Sequence, residues 1–160
     1  MIEFKECNIF DSGADYIVHQ VNCKGVMGSG LAKQVKINYP EVYRAYKYLC
    51  ETNSASELLG RAQFVDTRYK HNTEFRGIIN LFAQDGYGYS RRYTDYEAMR
   101  TGLKQIAETF KFNSTAKIAI PYNMGCCRGG GDWNLVFSII QKELSEYDII
   151  ICSYNIDNDK

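Results

Sequence analysis

Apolar and polar residues follow one another along the chain in a pattern that predicts strands and helices in turn. Runs typical of strands occupy residues 2–7, 16–21, 61–69, 76–83, 116–121 and 148–153. Apolar residues three and four positions apart predict helices at 40–51, 96–110 and 133–144, and a shorter helix is predicted to begin at Leu31. This alternation is typical of an α/β fold in which helices cover a largely parallel sheet.

The start of the helix at 96–110 is marked in the sequence. Thr94, with Glu97 three residues later, matches a capping box, so Thr94 is predicted to cap this helix. The polar segment 52–59 lacks helical or strand periodicity, and we interpret it as a loop.

Two glycine-rich loops each lie between a predicted strand and a predicted helix. The first contains Gly25, Gly28 and Gly30, and the second contains Gly125 and residues 129–131. Such a loop presents backbone N–H groups to an anion, and glycine lets the backbone approach it closely. Because ligands of parallel sheets bind at the carboxyl ends of the strands, we expect the loops to form two walls of one cleft.

Length, charge and cysteine content limit the number of domains, the ligands and the location that we expect for this protein. With 160 residues, of which 45% are hydrophobic, we expect one domain at residues 1–153 and a polar tail at 154–160. Equal numbers of basic and acidic residues, 19 each, argue against non-specific nucleic-acid binding. The cysteines and histidines have no metal-ligand spacing, so we expect neither metal nor cofactor. The first residues do not show the pattern of a signal peptide, and no apolar run has the length of a membrane span, so we expect a protein without either and a reducing, cytoplasmic location.

Two familiar nucleotide-binding motifs do not fit the glycine loops. A P-loop ends in Gly-Lys-Ser/Thr, which the run 129–132 does not offer. The dinucleotide fingerprint needs a third small residue where the first loop has Lys33. Each loop alone is therefore weak evidence for a nucleotide-binding site, and the two loops together are stronger evidence.

Five stretches carry a resemblance to a known family: VNCKGVMGSGLA at 21–32, YPEVYRAY at 39–46, NLFAQ at 80–84, YTDYEA at 93–98 and IPYNMGCCRGGGDW at 120–133. Through them the chain resembles the macrodomains, which bind ADP-ribose. It is most similar to the branch of terminal ADP-ribose protein glycohydrolases and small phage and fungal ADP-ribose-1''-phosphate phosphatases. The resemblance implies a three-layer α/β/α fold with a mixed, largely parallel sheet, and ADP-ribose or an ADP-ribosylated molecule as partner.

The resemblance also implies which residues meet the ligand. Residues 8 and 9 would contact the adenine, residue 22 the distal ribose, and the two loops the diphosphate. The implied substrate-binding residues are Asn8, Ile9, Asn22, Gly25, Val26, Met27, Gly28, Ser29, Gly30, Gln84, Pro121, Asn123, Met124, Gly125, Cys126, Cys127, Arg128, Gly129 and Gly130. Glycohydrolases of this branch use a lysine near the place of Gln84 and an aspartate inside the second loop. Gln84 therefore argues against a mechanism that needs a lysine adduct.

His19 and Asp132 are the candidate catalytic residues. His19 matches a histidine of the phosphatase-like members, and its pKa near neutrality suits a general acid or base. It could equally be a buried strand histidine. Asp132 could activate water, or it could cap the helix that begins at Trp133.

Three further assignments have a plainer alternative. Asn22 could position the ribose or could satisfy the backbone of its own loop. Cys23, Cys126 and Cys127 lack the spacing of a cysteine phosphatase loop, so packing roles are favoured over nucleophilic ones. Arg128 could contact a phosphate or face solvent.

These observations predict an enzyme that binds ADP-ribose and hydrolyses a bond at the 1'' position of the distal ribose. It would be an ADP-ribose-1''-phosphate phosphatase or a de-ADP-ribosylating hydrolase, with water as nucleophile and loop amides stabilising the developing charge. The alternative is a module that recognises ADP-ribose or ADP-ribosylation without turnover. A more distant alternative is an unrelated nucleotide-binding α/β domain.

Overall fold

The computed structural model describes residues 1–113 and 115–154. In chain order the elements are β1 (Ile2–Glu6), a 3₁₀ helix (Ile9–Asp11), β2 (Tyr16–Val21), α1 (Gly30–Asn38), α2 (Pro40–Thr52), α3 (Ala55–Leu58), β3 (Ala62–Asp66), α4 (Arg68–His71), β4 (Gly77–Phe82), α5 (Tyr96–Phe110), β5 (Lys117–Pro121), α6 (Trp133–Glu143) and β6 (Asp148–Ser153). Most of the predicted polar tail, residues 155–160, lies outside the described residues.

The strands form one six-stranded sheet in the order β1–β6–β5–β2–β4–β3. All neighbouring pairs are parallel except β3 with β4, which is antiparallel. The prediction of a mixed, largely parallel sheet is therefore confirmed. Because β2 lies between β4 and β5 and runs parallel to both, the segments that follow these three strands leave the sheet at the same edge.

Helices cover both faces of the sheet, as the three-layer prediction required. The core on one face joins the sheet to α5 and α6: Val18, Ile79, Leu81, Met99, Leu103, Ile106, Val136 and Ile140. The core on the other face joins it to α1 and α2: Ile17, Val21, Ile78, Phe82, Val35, Val42 and Tyr46. Successive residues of a strand point to opposite faces, so the continuous apolar runs of β2 and β4 fill both cores.

Local predictions at two helix starts were wrong. The cap of α5 is Asp95, whose side chain accepts from the N–H of Ala98 at 3.0 Å, and not Thr94. Thr94 is buried, and its hydroxyl donates to a loop carbonyl instead. Residues 52–59 are not all loop, because a capping box between Ser54 and Glu57 starts the short helix α3.

The strand predicted at 61–69 is shorter than its pattern suggested. It ends at Asp66, because Arg68–His71 forms the helical turn α4. Within residues 1–113 and 115–154, no helix combines the length and the apolar character needed to cross a membrane.

Candidate functional site

Side chains beneath the first glycine loop, residues 22–30, hold it in place. Asn22 Nδ2 donates to the carbonyl of Val26 at 2.8 Å. Asn22 Oδ1 accepts from the N–H of Lys24 at 2.9 Å and from the Tyr46 hydroxyl at 2.7 Å. The same hydroxyl accepts from the N–H of Val26 at 3.0 Å. These contacts are those expected of Asn22 in its loop-supporting role.

Hydrogen bonds to its main-chain carbonyls hold the second glycine loop, residues 122–132. The N–H groups of Tyr93 and Thr94 donate to the Gly129 carbonyl at 2.7 and 2.8 Å. The Thr94 hydroxyl donates to the Gly125 carbonyl at 2.7 Å. A Cβ at Gly129 would lie 2.3 Å from Thr94 Oγ1 and 2.6 Å from the Gly125 carbonyl oxygen, so only glycine fits there.

Both loops leave backbone N–H groups open. In the part of the chain that the structure describes, the N–H groups of residues 27–29, 125 and 127–129 donate to no protein atom. The N-cap of α1 is Ser29, whose side chain makes no capping hydrogen bond. The N-terminal amides of α1 and the unpaired amides of the exposed loop residues 28, 127 and 128 can therefore receive an anion.

A cluster of polar side chains joins the strand ends below the loops. Gln20 Nε2 donates to Gln84 Oε1 at 2.7 Å and to Thr94 Oγ1 at 2.9 Å. Gln84 Nε2 donates to the carbonyl of Gly86 at 2.7 Å. Gln84 is buried, its amide is neutral, and both ends of that amide are engaged. It therefore supports the loops and supplies no nucleophile.

His19 lies within β2, three residues before Asn22, where the first glycine loop begins. It is 2% exposed, and its Nε2 donates to Asn80 Oδ1 at 2.6 Å. Asn80 in turn donates to Gln63, which donates to the Ala45 carbonyl on α2. Burial lowers the pKa of His19 to about 4, against a smaller opposing effect of the Asn80 hydrogen bond. A neutral, buried imidazole favours the structural interpretation of His19 over the catalytic one.

Asp132 is exposed at the end of the second loop and caps α6. Its Oδ1 accepts from the N–H of Asn134 at 2.9 Å, and its own N–H donates to the Tyr96 hydroxyl at 3.0 Å. Its Oδ2 makes no hydrogen bond to another described residue. One carboxylate oxygen is therefore used by the helix and the other is left for a ligand or water.

Two thiols of the loops, those of Cys23 and Cys126, are poor nucleophiles. Burial, reinforced by the charge of Asp85, raises the pKa of Cys23 to about 12. Burial, reinforced by the charge of Asp132, raises the pKa of Cys126 to about 11. Both thiols stay protonated near neutral pH, which favours their interpretation as packing residues.

The other residues predicted to bind substrate divide into buried and exposed positions. Asn8 caps the 3₁₀ helix at the carboxyl end of β1, where its side chain accepts from the N–H of Phe10 at 3.0 Å. The buried members are Ile9, Met27 and Met124. The exposed members are Val26, Gly28, Gly30, Asn123, Cys127, Arg128 and Gly130. The remaining members are partly or fully covered and line the loops: Gly25, Ser29, Pro121, Gly125, Cys126 and Gly129.

A cavity of about 310 Å³ lies at the opposite end of the sheet. Tyr16 and Gly77, which begin β2 and β4, line it together with Asp66 and Phe110. The length of the strands separates this cavity from the glycine loops, so it is distinct from the predicted cleft.

Sequence reasoning missed three residues that shape the site. Tyr46 lies at a core-facing position of α2, and its pattern gave no sign that its hydroxyl serves the first loop. Thr94 was predicted as a helix cap, and Gln20 was covered only by the strand predicted at 16–21. Their role depends on contacts between segments far apart in the chain.

Comparison with known proteins identifies the family. The family model described as Macro domain matches residues 18–140. The chain belongs to the Macro domain family. This macrodomain is similar to the macrodomain of Mycobacterium tuberculosis DarG, with 29% sequence identity, a TM-score of 0.76, and coverage of 95% of this chain and 97% of that one.

Two curated relatives differ in their named activities. The DNA ADP-ribosyl glycohydrolase of Mycobacterium tuberculosis is 29% identical over 133 residues, which cover 83% of this chain. The macrodomain spans only 36% of the length of that glycohydrolase. The ADP-ribose 1''-phosphate phosphatase of Scheffersomyces stipitis is 24% identical over 155 residues, covering 88% of this chain and 90% of the relative.

Proposed function

We propose that this macrodomain binds ADP-ribose between its two glycine loops and hydrolyses a bond at the 1'' position of the distal ribose. The observation that carries the proposal is the set of open N–H groups at 27–29, 125 and 127–129, on loops that follow the adjacent parallel strands β2 and β5. Such groups hold a diphosphate without cationic side chains, each contact contributing about 0.3–2 kcal/mol. The relatives named as a glycohydrolase and a phosphatase of ADP-ribosyl compounds support this ligand.

Water is the nucleophile in the proposed reaction. Water adds to C1'' or to the phosphorus of a 1''-phosphate, the bond to the leaving group breaks, and Asp132 Oδ2 accepts the proton of the water. The open amides of the second loop stabilise the negative charge that develops on the phosphate or leaving oxygen. Gln84 cannot form an adduct, and buried His19 takes no part in these steps.

The substrate-binding residues that the resemblance implies are proposed to contact the bound ADP-ribose.

The protein is proposed to be cytoplasmic. The free thiols of the described chain are typical of a reducing compartment, which supports this location.

Release of product from two substrates tests the proposal. The purified chain is incubated with ADP-ribose-1''-phosphate and with a single-stranded oligonucleotide carrying ADP-ribose, and phosphate and ADP-ribose are measured. Asp132→Asn is expected to slow release about a hundredfold, because the amide cannot accept the proton. Asparagine caps helices as well as aspartate does, so the unfolding midpoint is expected to stay unchanged.

Asp132→Ala separates the cap from the chemistry. It is expected to lose about 1 kcal/mol of stability as well as turnover, because α6 loses its cap. Undiminished turnover in Asp132→Asn would remove Asp132 from the mechanism.

The second candidate function is recognition of ADP-ribose without turnover. The engaged, neutral Gln84 amide and the buried His19 favour it. Binding of ADP-ribose by calorimetry, with no release from either substrate, would establish this alternative. Absence of ADP-ribose binding would contradict both candidates.

A further inference from the structure

The two edge strands of the sheet differ in how far they are covered. β1 pairs with β6 on one side, and no other strand in residues 1–113 and 115–154 pairs with it. Four of the five residues of β1 are exposed, whereas only one of the five residues of β3, at the opposite edge, is exposed. A bare edge strand presents unpaired backbone N–H and C=O groups, which another strand can bind.

Alternate residues of β1 direct their backbone groups to the open edge. The carbonyl of Met1 accepts a hydrogen bond from β6 at 2.9 Å, and the N–H of Cys7 donates one to β6 at 3.1 Å, so both residues face β6. The backbone groups of successive residues in a strand point to its two sides in turn. Residues 3 and 5 therefore also face β6, and residues 2, 4 and 6 present their N–H and C=O groups to the open edge.

The charges of β1 distinguish between the ways in which two copies of this edge can pair. Pairing about a two-fold axis is antiparallel, and outward backbone groups meet when the axis passes through residue 3, 4 or 5. An axis at Glu3 or at Lys5 sets that residue opposite its own copy, so like charges meet. An axis at Phe4 sets Glu3 opposite Lys5 of the second copy, and Lys5 opposite Glu3. The charges therefore favour the register centred on Phe4.

We propose that the open edge of β1 binds a second copy of this chain in this register, so that two six-stranded sheets join into one. The outward groups of residues 2, 4 and 6 then bond to those of residues 6, 4 and 2 of the second copy. Within residues 1–113 and 115–154, neither Glu3 nor Lys5 forms an ion pair. Lys5 Nζ donates to the Ser12 carbonyl at 3.1 Å, and an ammonium group has two further N–H donors for the second copy.

An aromatic ring lies at the centre of the proposed interface. Phe4 is 61% exposed although it is the middle residue of its strand. Its ring lies 5.5 Å from that of Phe137 on α6, and Phe137 stacks on Trp133 at 5.7 Å, measured between ring centres. Directly opposed residues of an antiparallel pair bring their side chains into contact, so the two Phe4 rings meet in the dimer. The second copy thus covers apolar surface as well as the open backbone groups.

Charged side chains on an edge strand commonly prevent pairing, and Glu3, Lys5 and Glu6 are of this kind. In the register centred on Phe4, however, Glu3 and Lys5 each gain a partner of opposite sign. Glu6 lies at the end of the paired segment, opposite Ile2. The charges that deter an unrelated strand therefore match this chain's own copy.

The two ADP-ribose clefts of such a dimer open in opposite directions. Each proposed cleft lies at the carboxyl edge of its sheet, and β1 runs parallel to β6 and β5 and antiparallel to its own copy. Dimerisation therefore leaves both clefts open and does not depend on the proposed function. Five residues a side form a short interface, so we expect a weak dimer whose population rises with protein concentration.

Sedimentation velocity over about a hundredfold range of protein concentration tests the dimer. The wild type is expected to shift from monomer to dimer across this range. Lys5→Glu and Glu3→Lys each set like charges opposite one another, and each is expected to raise the dissociation constant about tenfold. The matched control, Lys70→Glu, makes the same charge change at an exposed position of α4, which follows the opposite edge strand, and is expected to dimerise as the wild type does.

A mixture of the two charge variants tests the register. In an equimolar mixture of Lys5→Glu and Glu3→Lys, acidic side chains of one variant lie opposite basic side chains of the other. The mixture is expected to dimerise as the wild type does, although neither variant does so alone. The double variant, Glu3→Lys with Lys5→Glu, also restores opposite charges and is expected to dimerise. Recovery in these two cases shows that the single variants are folded.

Substitutions of Phe4 separate the ring from the backbone. Phe4→Ala removes the aromatic contact and is expected to weaken the dimer about tenfold. Phe4→Pro also removes the outward N–H and is expected to abolish the dimer. The pairing of β1 with β6 does not use this N–H, so Phe4→Pro is expected to keep the fold, as proline does on the solvent side of an edge strand. An ADP-ribose affinity equal to that of the wild type checks this.

The outcomes separate the dimer from the cleft. A wild type that binds ADP-ribose by calorimetry but stays monomeric at every concentration overturns the dimer alone. Equal weakening by Lys5→Glu and Lys70→Glu would also overturn it, as would a mixture no more dimeric than its components. A wild type that dimerises but does not bind ADP-ribose contradicts the proposed function and leaves the dimer in place.

Discussion

The two glycine loops leave the sheet at the same edge but are built differently. In the first, a Cβ at Gly28 would lie 3.5 Å from Val26 Cγ1, an ordinary contact, and a Cβ at Gly30 would meet nothing within 4 Å. In the second, a Cβ at Gly129 would clash with Thr94 and with the backbone. In the first loop, glycine leaves the backbone exposed and free in conformation although a Cβ would fit. In the second loop, glycine is needed because no space remains for a Cβ.

The helices that follow the two loops also differ, in the groups that lie at their N-terminal ends. The N-terminal amides of α1 are left open by Ser29, while Asp132 places a carboxylate at the start of α6. An anion is favoured at the first helix end and opposed at the second. The first wall of the proposed cleft can thus hold phosphate with its helix start as well as its loop amides, whereas the second wall has only its loop amides for phosphate, beside the group that would activate water.

Matched glycine substitutions test this contrast most strongly. Gly129→Ala is expected to lower the free energy of unfolding by about 3 kcal/mol, because the added methyl group overpacks the loop against Thr94. Gly28→Ala is expected to change it by less than about 0.5 kcal/mol, as at other open surface positions. Chemical denaturation measures both, and equal losses in the two variants would show that the loops are equally crowded.

The pH dependence of stability tests whether His19, on the strand that precedes the first loop, is inaccessible to water. The pKa of His19 is about 4 in the folded chain and 6.5 for an unperturbed histidine, so the unfolded chain binds more protons between these values. The stabilisation is complete above pH 6.5 and is lost as pH falls towards 4, up to about 3 kcal/mol. Denaturation at a series of pH values measures this loss.

Two variants show which histidine causes that pH dependence of stability. His19→Gln is expected to flatten the dependence between pH 6.5 and 4, because the buried titrating group is gone. His71→Gln, which removes the other histidine, on the surface beside Glu41, is expected to retain the loss. A wild-type stability that stays constant over this range would mean that His19 is accessible to water, and would restore it as a catalytic candidate.

The side-chain support of the first loop gives the smallest predicted effect. Tyr46→Phe removes the hydroxyl that joins Asn22 to the N–H of Val26, and is expected to cost about 1–2 kcal/mol and to weaken ADP-ribose binding. Tyr43→Phe removes a longer contact, 3.3 Å to the Gly25 carbonyl, and is expected to have little effect. Denaturation and calorimetry measure the pair, and identical values for both would mean that the loop does not depend on Asn22 and Tyr46.

The fold and the two loops could be predicted because their signals are local. Apolar runs in β2 and β4, and glycines directly after β2 and β5, are visible within a few residues of sequence. The start of α5 was missed by one position, because Thr94 and Asp95 both have side chains that cap helices. Which of them caps depends on the second loop, since the Gly125 carbonyl takes the Thr94 hydroxyl.

The sequence by itself determined the order of strands and helices, the largely parallel sheet and the position of the glycine loops, because periodicity and turn chemistry act between near neighbours. Only the tertiary structure shows what surrounds His19, Asn22 and Gln84. Each has a side chain that suits either catalysis or support, and the choice depends on distant residues that bury it or take its hydrogen bonds. Burial and hydrogen-bond partners are properties of the packed chain, and no local pattern records them.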